Sequence, residues 1–479
     1  MLRGGEHHQC RVQFLQRGGP AGEADACEIG WCEVDTDHGS PYPRAARSFR
    51  LDPNRSLAVP GGKTMGGMTT RLSAVDRRTL AKLALVSGAS MVGAGLGVGP
   101  ARADLAPAVL RLPAPTGPYR IGAVELYLAD RSRRDPWDSA IPVRELMVTV
   151  LYPACGAQGF ALAAQMAPGA AALFGQIAPL GHPQLPASGV NWAATMTHAH
   201  TGASALPGRR PTVIYSPGGG DPRTLGTYTA EELASHGYIV ATVDHPGDAC
   251  DVGFPTATTY RGRYRITVFR GDPRSDAATY RTMIDTRIAD CKFVADALET
   301  LAAGGNPDAL GRRPPRGLGR AIDPSRLVIY GHSAGGTTAA QTLYEDARFV
   351  AGVNLEGYLD WTPAAPGEPG VLLRVAEHGT NRPMLMVGSS GFTDEQALDL
   401  SWSVMLARSG HRARRRQIAN ANHWVFTDLA PMAAQLQAEG LMTSADRDAL
   451  VGAIDPDTAV PEVRGLLREF LDRTLGVRS

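Results

Sequence analysis

The sequence predicts an α/β fold: a mostly parallel central sheet with helices on both faces and a cap or insertion. Two observations carry this reading. From Pro211 onward, short apolar runs bounded by Gly, Pro, Asn and Asp alternate with segments of helical period. Within that alternation, RLVIYGHSAGG (326–336) runs from a strand pattern through a Gly-x-Ser-x-Gly turn straight into a helix pattern.

At the front, residues 1–64 are polar and show no hydrophobic periodicity. We expect them to be either an upstream extension outside the native chain, with translation starting at Met65 or Met68, or a disordered segment. Residues 65–103 carry the twin arginines Arg77 and Arg78, a mildly apolar run from Leu83 to Val98, and the small-x-small triplet Ala101-Arg102-Ala103. This resembles a twin-arginine export signal, and the run is too short and too dilute for a membrane span of about 18 residues. A secreted chain beginning near Asp104 is therefore expected, with one catalytic domain over 104–479.

In that domain IGAVELYLADRS (121–132) and RELMVTVLYPA (144–154) read as a strand pair. An Ala-, Gly- and Pro-rich insertion follows at about 155–210, read either as a helical cap packed on the body or as a lid facing lipid. PTVIYSP, YIVATVDHPGD, RLVIYGHS, FVAGVNLEGY, PMLMVGSS and RRRQIANANH then read as successive strands. Between them lie helices, including a long one in which Ile284, Ile288, Cys291, Val294 and Leu298 share a face. GRRPPRGLGRAIDPSR (311–326) reads as an exposed basic connection.

Bulk properties exclude some functions. The 479 residues are 43% hydrophobic, and a formal net charge of +1 gives no reason to expect a nucleic-acid partner. The six cysteines contain no Cys-x-x-Cys pair, so a structural zinc site is not expected. Cys155, Cys250 and Cys291 allow at most one disulfide, and the sequence does not choose a pairing.

The chemistry concentrates on Gly331-His332-Ser333-Ala334-Gly335. On a strand-to-helix turn, this pattern lifts Ser333 to the carboxyl edge of the sheet as a nucleophile. A serine nucleophile needs an oxyanion hole and a base. SPGGG (216–220) directly follows a strand, so the hole is assigned to the N–H groups of Gly219 and Ala334. The base should come late, in a loop after a strand, which selects His423 in IANANHWVF. His411, His378 and His332 meet these conditions less well. For the acid, chemistry leaves Glu356 and Asp394 level, with Asp360 a third option. Asp244, His245 and Asp248 either shape substrate or form a hydrogen-bonded strand end, and Asp290 is read as structural.

Three stretches carry a resemblance. Residues 211–248 (PTVIYSPGGGDPRTLGTYTAEELASHGYIVATVDHPGD) are similar to the oxyanion-loop region of the platelet-activating factor acetylhydrolases of the plasma and intracellular type II kind. GHSAGGTTAAQTLYEDARFVAGVNLEGY (331–358) resembles their nucleophile region, and NANHWVFTDL (420–429) their histidine loop. The likeness spans roughly residues 120 to 445. It implies the α/β-hydrolase fold and places the acid after the strand that follows the nucleophile helix. That position is Glu356, where the family usually has Asp. The family's His-Gly in the oxyanion loop is Pro217-Gly218 here.

The expectation is a secreted serine carboxylic-ester hydrolase needing no metal or cofactor. By resemblance it would cleave short-acyl lipid or phospholipid esters, as a 1-alkyl-2-acetylglycerophosphocholine esterase does, with transient lipid-surface contact through the cap. The rivals are a cutinase-like hydrolase of aryl esters or polyesters, and a catalytically inactive hydrolase fold used for binding.

Overall fold

A computed structural model describes residues 106–362, 370–393 and 395–477. The stretch 1–64, the stretch 65–103 read above as an expected export signal, and Asp394 lie outside the described residues. The two early strands form as expected. β1 (Ile121–Asp130) and β2 (Arg144–Cys155) pair antiparallel over their whole length. The insertion departs from a purely helical cap. It contains β3 (Leu162–Ala164), the helix α1 (Pro168–Gly181), β4 (Met196–Thr201) and β5 (Ser204–Ala205). β4 runs parallel to β1 and β3 pairs with β4, so part of the insertion widens the sheet instead of covering it.

The alternating region follows. β6 (Arg210–Ser216) leads to α2 (Thr227–Ser235), β7 (Ile239–Val243), and the small hairpin of β8 (Asp251–Gly253) and β9 (Tyr264–Ile266). The long helix α3 (Ala277–Ala302) and the short α4 (Leu318–Ala321) precede β10 (Ile322–His332). Residues 318–326, expected to be exposed connection, instead form α4 and the opening of β10, with Leu318 and Ile322 buried. Then come α5 (Ala334–Glu345), β11 (Phe349–Leu355), α6 (Arg374–His378), β12 (Met384–Ser389), α7 (Glu395–Ser409) and β13 (Ala413–Ile418). α8 (Leu429–Ala438), α9 (Ser444–Val451) and α10 (Pro456–Leu475) close the chain.

The main sheet has eleven strands in the order β13-β12-β11-β10-β6-β7-β2-β1-β4-β3, with β5 added on β2. β13, β12, β11, β10, β6 and β7 run parallel to one another, while β2 is antiparallel to both β7 and β1. This is the α/β-hydrolase arrangement. Its two faces follow from the period-2 alternation of each strand. On β6, Val213 and Tyr215 join a core with Leu233 of α2, Met432 of α8 and Leu467 of α10. Ile214 faces the opposite core, with Val294 of α3, Leu343 of α5 and Trp402 of α7. Parallel strands covered on both faces have no wet side, which is why these runs lack polar alternation. Cys155, Cys250 and Cys291 are all free thiols.

Candidate active site

The site is built at the carboxyl ends of β6, β10, β11 and β12, and the nucleophile turn comes first. Ser333 has φ 54° and ψ −121° at the start of α5. A side chain on Gly331 would place its Cβ 2.2 Å from the Gly335 carbonyl oxygen, and one on Gly335 would sit 1.9 Å from that of Ser216. Only glycine lets strand, helix and oxyanion loop approach this closely. The strain on Ser333 is locked in by the Ser333 N–H donating to Leu355 O at 2.8 Å, the last residue of β11.

Glu356 comes next in the chain and is also left-handed, at φ 59°. The turn is closed by Asn354, whose side chain accepts the Gly357 N–H at 2.6 Å and donates to Gly357 O at 2.8 Å. Glu356 is buried. Its Oε2 accepts from His423 Nδ1 at 2.6 Å, and its Oε1 accepts from Ser389 Oγ at 2.7 Å and from the Ser389 N–H. The carboxylate is thus held on two sides, which fixes the imidazole with Nδ1–H toward Glu356 and Nε2 free. Ser333, Glu356 and Asn420, three residues before His423, are the non-glycine residues with positive φ among those described. Backbone strain of this kind, of order 1–3 kcal/mol per residue, concentrates at functional sites.

His423 lies among rings, with centroid separations of 4.6 Å to His332, 4.9 Å to Phe392 and 4.9 Å to Trp424. His332 does not reach the nucleophile's chemistry. Its Nε2–H donates to the His423 carbonyl oxygen at 2.9 Å, so it anchors the main chain of the histidine loop. Burial, reinforced by His423, pushes the His332 imidazole well below its usual pKa, and it stays neutral. His182, from the end of α1, stacks edge-on against Trp424 at 4.3 Å and contacts Asp221 at 3.1 Å.

The oxyanion loop lies beside the elbow. A Cβ built on Gly219 would contact the Ala334 Cβ at 3.6 Å, so the two backbones converge. The Ala334 N–H opens α5 and, like that of Gly219, has no acceptor among the described residues. Both amides are therefore available to a bound oxyanion.

The remaining candidates are placed elsewhere. Asp360 binds Arg274 at 2.7 Å. His378 is exposed beside Glu377, and His411 lines a groove with Arg414 and Phe470 at the start of β13. Asp244 pairs with Arg223. His245 accepts from Ser216 Oγ at 2.9 Å and donates through Nδ1 to Asp290 at 3.0 Å. Burial would raise the Asp290 carboxyl, but Arg144 and His245 outweigh it and hold it well below the usual range. Asp244, His245 and Asp248 are all held in hydrogen bonds just after β7. Sequence reasoning missed Ser389 and Asn354, which support Glu356. Neither carries a motif, and only their position at strand ends marks them.

A further group faces the oxyanion loop. Tyr280, Met283, Ile284 and Ile288 of α3 pack with Ala334, and Trp137, Phe269 and Trp361 pack against them. Trp137 and Phe269 meet edge-to-face at 5.3 Å.

With this geometry in place, comparison with known proteins is informative. A family model for platelet-activating factor acetylhydrolase, isoform II, matches residues 186–477. The chain belongs to this family. A probable 1-alkyl-2-acetylglycerophosphocholine esterase from Arthroderma benhamiae is 26% identical over 77% of this chain and 89% of its own. The platelet-activating factor acetylhydrolase of Bos taurus is 29% identical over 35% of this chain and 38% of its own. Among solved structures, a ferulic acid esterase from Streptomyces cinnamoneus superposes with a TM-score of 0.59 at 29% identity, covering 77% of this chain and 94% of that one. This member of the acetylhydrolase family is a carboxylic ester hydrolase.

Proposed function

We propose that the chain is an exported serine esterase that cleaves short-acyl lipid or phospholipid esters through an acyl-enzyme. One observation carries the mechanism: the His423 Nδ1–Glu356 bond of 2.6 Å stands at the same sheet edge as the strained Ser333. In this reading Ser333 Oγ attacks the ester carbonyl carbon while His423 Nε2 takes its proton. The Glu356 carboxylate stabilises the imidazolium, and the Gly219 and Ala334 N–H groups bind the oxyanion. Collapse breaks the C–O bond to the alcohol, which leaves with the proton from His423. Water, deprotonated by the same imidazole, then releases the acid and restores Ser333.

The substrate class follows from the family and from its 1-alkyl-2-acetylglycerophosphocholine esterase relative. Export rests on Arg77-Arg78 and the Ala101-Arg102-Ala103 triplet. Contact with a lipid surface through the insertion is supported by its exposed apolar side chains, Phe160, Leu162, Leu180 and Met196, with Leu180 84% exposed.

A second reading has its own support. The aromatic wall of Trp137, Phe269, Tyr280 and Trp361 beside Ala334, together with the ferulic acid esterase likeness, favours esters of aromatic acids. Hydrolysis of p-nitrophenyl acetate through decanoate, and of methyl ferulate, separates the two. Highest kcat/KM for acetate or butyrate is expected. A preference for methyl ferulate over p-nitrophenyl acetate would move the substrate to esters of aromatic acids, and a Ser333→Ala variant as active as the parent would overturn the mechanism.

A further inference from the structure

Arg287 lies in the middle of α3, fully buried, and its guanidinium is wholly engaged. Nε and Nη2 donate to the two oxygens of Asp248 at 2.5 and 2.8 Å. Nη1 donates to Pro217 O at 2.6 Å and lies 3.3 Å from Ser216 Oγ, and Nη2 donates to Gly218 O at 2.8 Å. Asp248 Oδ1 in turn accepts the Gly220 N–H at 2.8 Å. One ion pair therefore grips the peptide groups on both sides of Gly219.

The direction of that grip matters. In a trans peptide the C=O and N–H point to opposite sides. The Gly218 carbonyl and the Gly219 N–H belong to the same peptide unit. Drawing the carbonyl onto Arg287 turns the Gly219 N–H away from the guanidinium, and Gly219 borders Ala334. We propose that Arg287, held by Asp248, is a positioning residue that presets the Gly219 N–H for the developing oxyanion.

Backbone bonds from Asp221 N–H to Gly218 O at 3.1 Å and from Cys250 N–H to Gly220 O at 2.7 Å only partly restrain the loop. Its three consecutive glycines have no side chains to restrict φ and ψ, and Gly220 is already at φ +82°. Oxyanion stabilisation depends on donors that need no reorganisation during the reaction. Stability is a weaker explanation for the pair, because a buried ion pair typically adds little against an apolar replacement. A planar fork also suits the task better than an ammonium, since it can serve two carbonyls and a carboxylate together. The inference rests on the serine-esterase reading of Ser333.

The test uses the full chain as parent, Ser333→Ala, Arg287→Lys and Asp248→Asn. Each is assayed on p-nitrophenyl butyrate. Each is also titrated with an alkyl trifluoromethyl ketone, whose adduct with the serine carries the oxyanion, and with the matching secondary alcohol, which forms no adduct. For Arg287→Lys we expect kcat to fall about 100-fold with KM within about threefold, the scale of losing one oxyanion donor. Ketone inhibition should weaken by the same factor and alcohol binding by less than about threefold, a split that general loosening of the fold does not produce. A folded Arg287→Lys with parental kcat and ketone affinity would overturn the proposal. So would ketone and alcohol affinities that fall together. If Arg287→Lys does not fold, Asp248→Asn decides by the same ratios, with about a tenfold shared loss expected. Retained activity in Ser333→Ala would instead mark failure of the serine reading itself.

Discussion

The two sides of the site are built in different ways. The candidate reacting groups follow strands of the parallel part of the sheet, tied by backbone bonds such as Ser333 N–H to Leu355 O and Glu356 N–H to Val387 O. The apolar wall comes from four separate stretches: Trp137 between β1 and β2, Phe269 after β9, Tyr280 and Met283 in α3, and Trp361 after β11. The first side has little freedom, because close backbone packing and these backbone bonds hold Ser333 and Glu356 at positive φ. The second is made of side chains from outside the sheet strands. The chemistry should therefore be brittle to substitution and the substrate range adjustable.

The sharpest break is expected at Glu356→Gln. The amide keeps the size but loses the charge that holds the imidazole tautomer, so kcat should fall on the order of 10⁴-fold with KM little changed. Steady-state kinetics on p-nitrophenyl acetate check this, and a loss below tenfold would point to another carboxylate.

Trp402→Ala probes the scaffold behind the same residue. Trp402 is fully buried in α7 and its Nε1–H donates to Gly357 O at 2.9 Å. Its removal should destabilise the fold by about 3–5 kcal/mol in urea unfolding, while the relative rates on p-nitrophenyl acetate and methyl ferulate stay constant.

Ser389→Ala removes one of the donors on Glu356 Oε1 and leaves the backbone N–H in place. A loss of about tenfold in kcat is expected, in line with one hydrogen bond to a charged group. Equal activity would mean that the backbone donor suffices.

Trp137→Ala tests the other side of the comparison. Turnover of p-nitrophenyl acetate should stay within about threefold of the parent, and the ratio of methyl ferulate to p-nitrophenyl acetate hydrolysis should drop by about tenfold, the worth of an aromatic contact. An unchanged ratio would remove Trp137 from the substrate's surroundings.

The same contrast explains what the sequence reveals. The strand and helix succession from Pro211 onward was legible because buried parallel strands are short apolar runs between turn residues. Ser333 and Gly219 were legible because their turns require glycine at fixed offsets. His423 was reached by its place after a strand late in the chain. Glu356 was not separable from Asp394 by chemistry, since any carboxylate at a strand end can orient an imidazole. The aromatic wall and the Arg287–Asp248 clamp were not legible, because they join residues far apart in the chain and each has an ordinary local setting. In the insertion, the three-residue β3 and the mixed β4 carry no strong strand pattern. The pairing of β4 on β1 and of β3 on β4 comes from tertiary contact, which local propensity does not encode.

The central claim is that Ser333 forms the acyl-enzyme. Its most direct test is labelling of the full chain with a fluorophosphonate, followed by peptide mapping by mass spectrometry. The account predicts a single adduct on the peptide that contains Ser333, loss of esterase activity in step with labelling, and no adduct on Ser333→Ala. An adduct on a different residue, or a Ser333→Ala variant that hydrolyses p-nitrophenyl acetate at the parental rate, would contradict it.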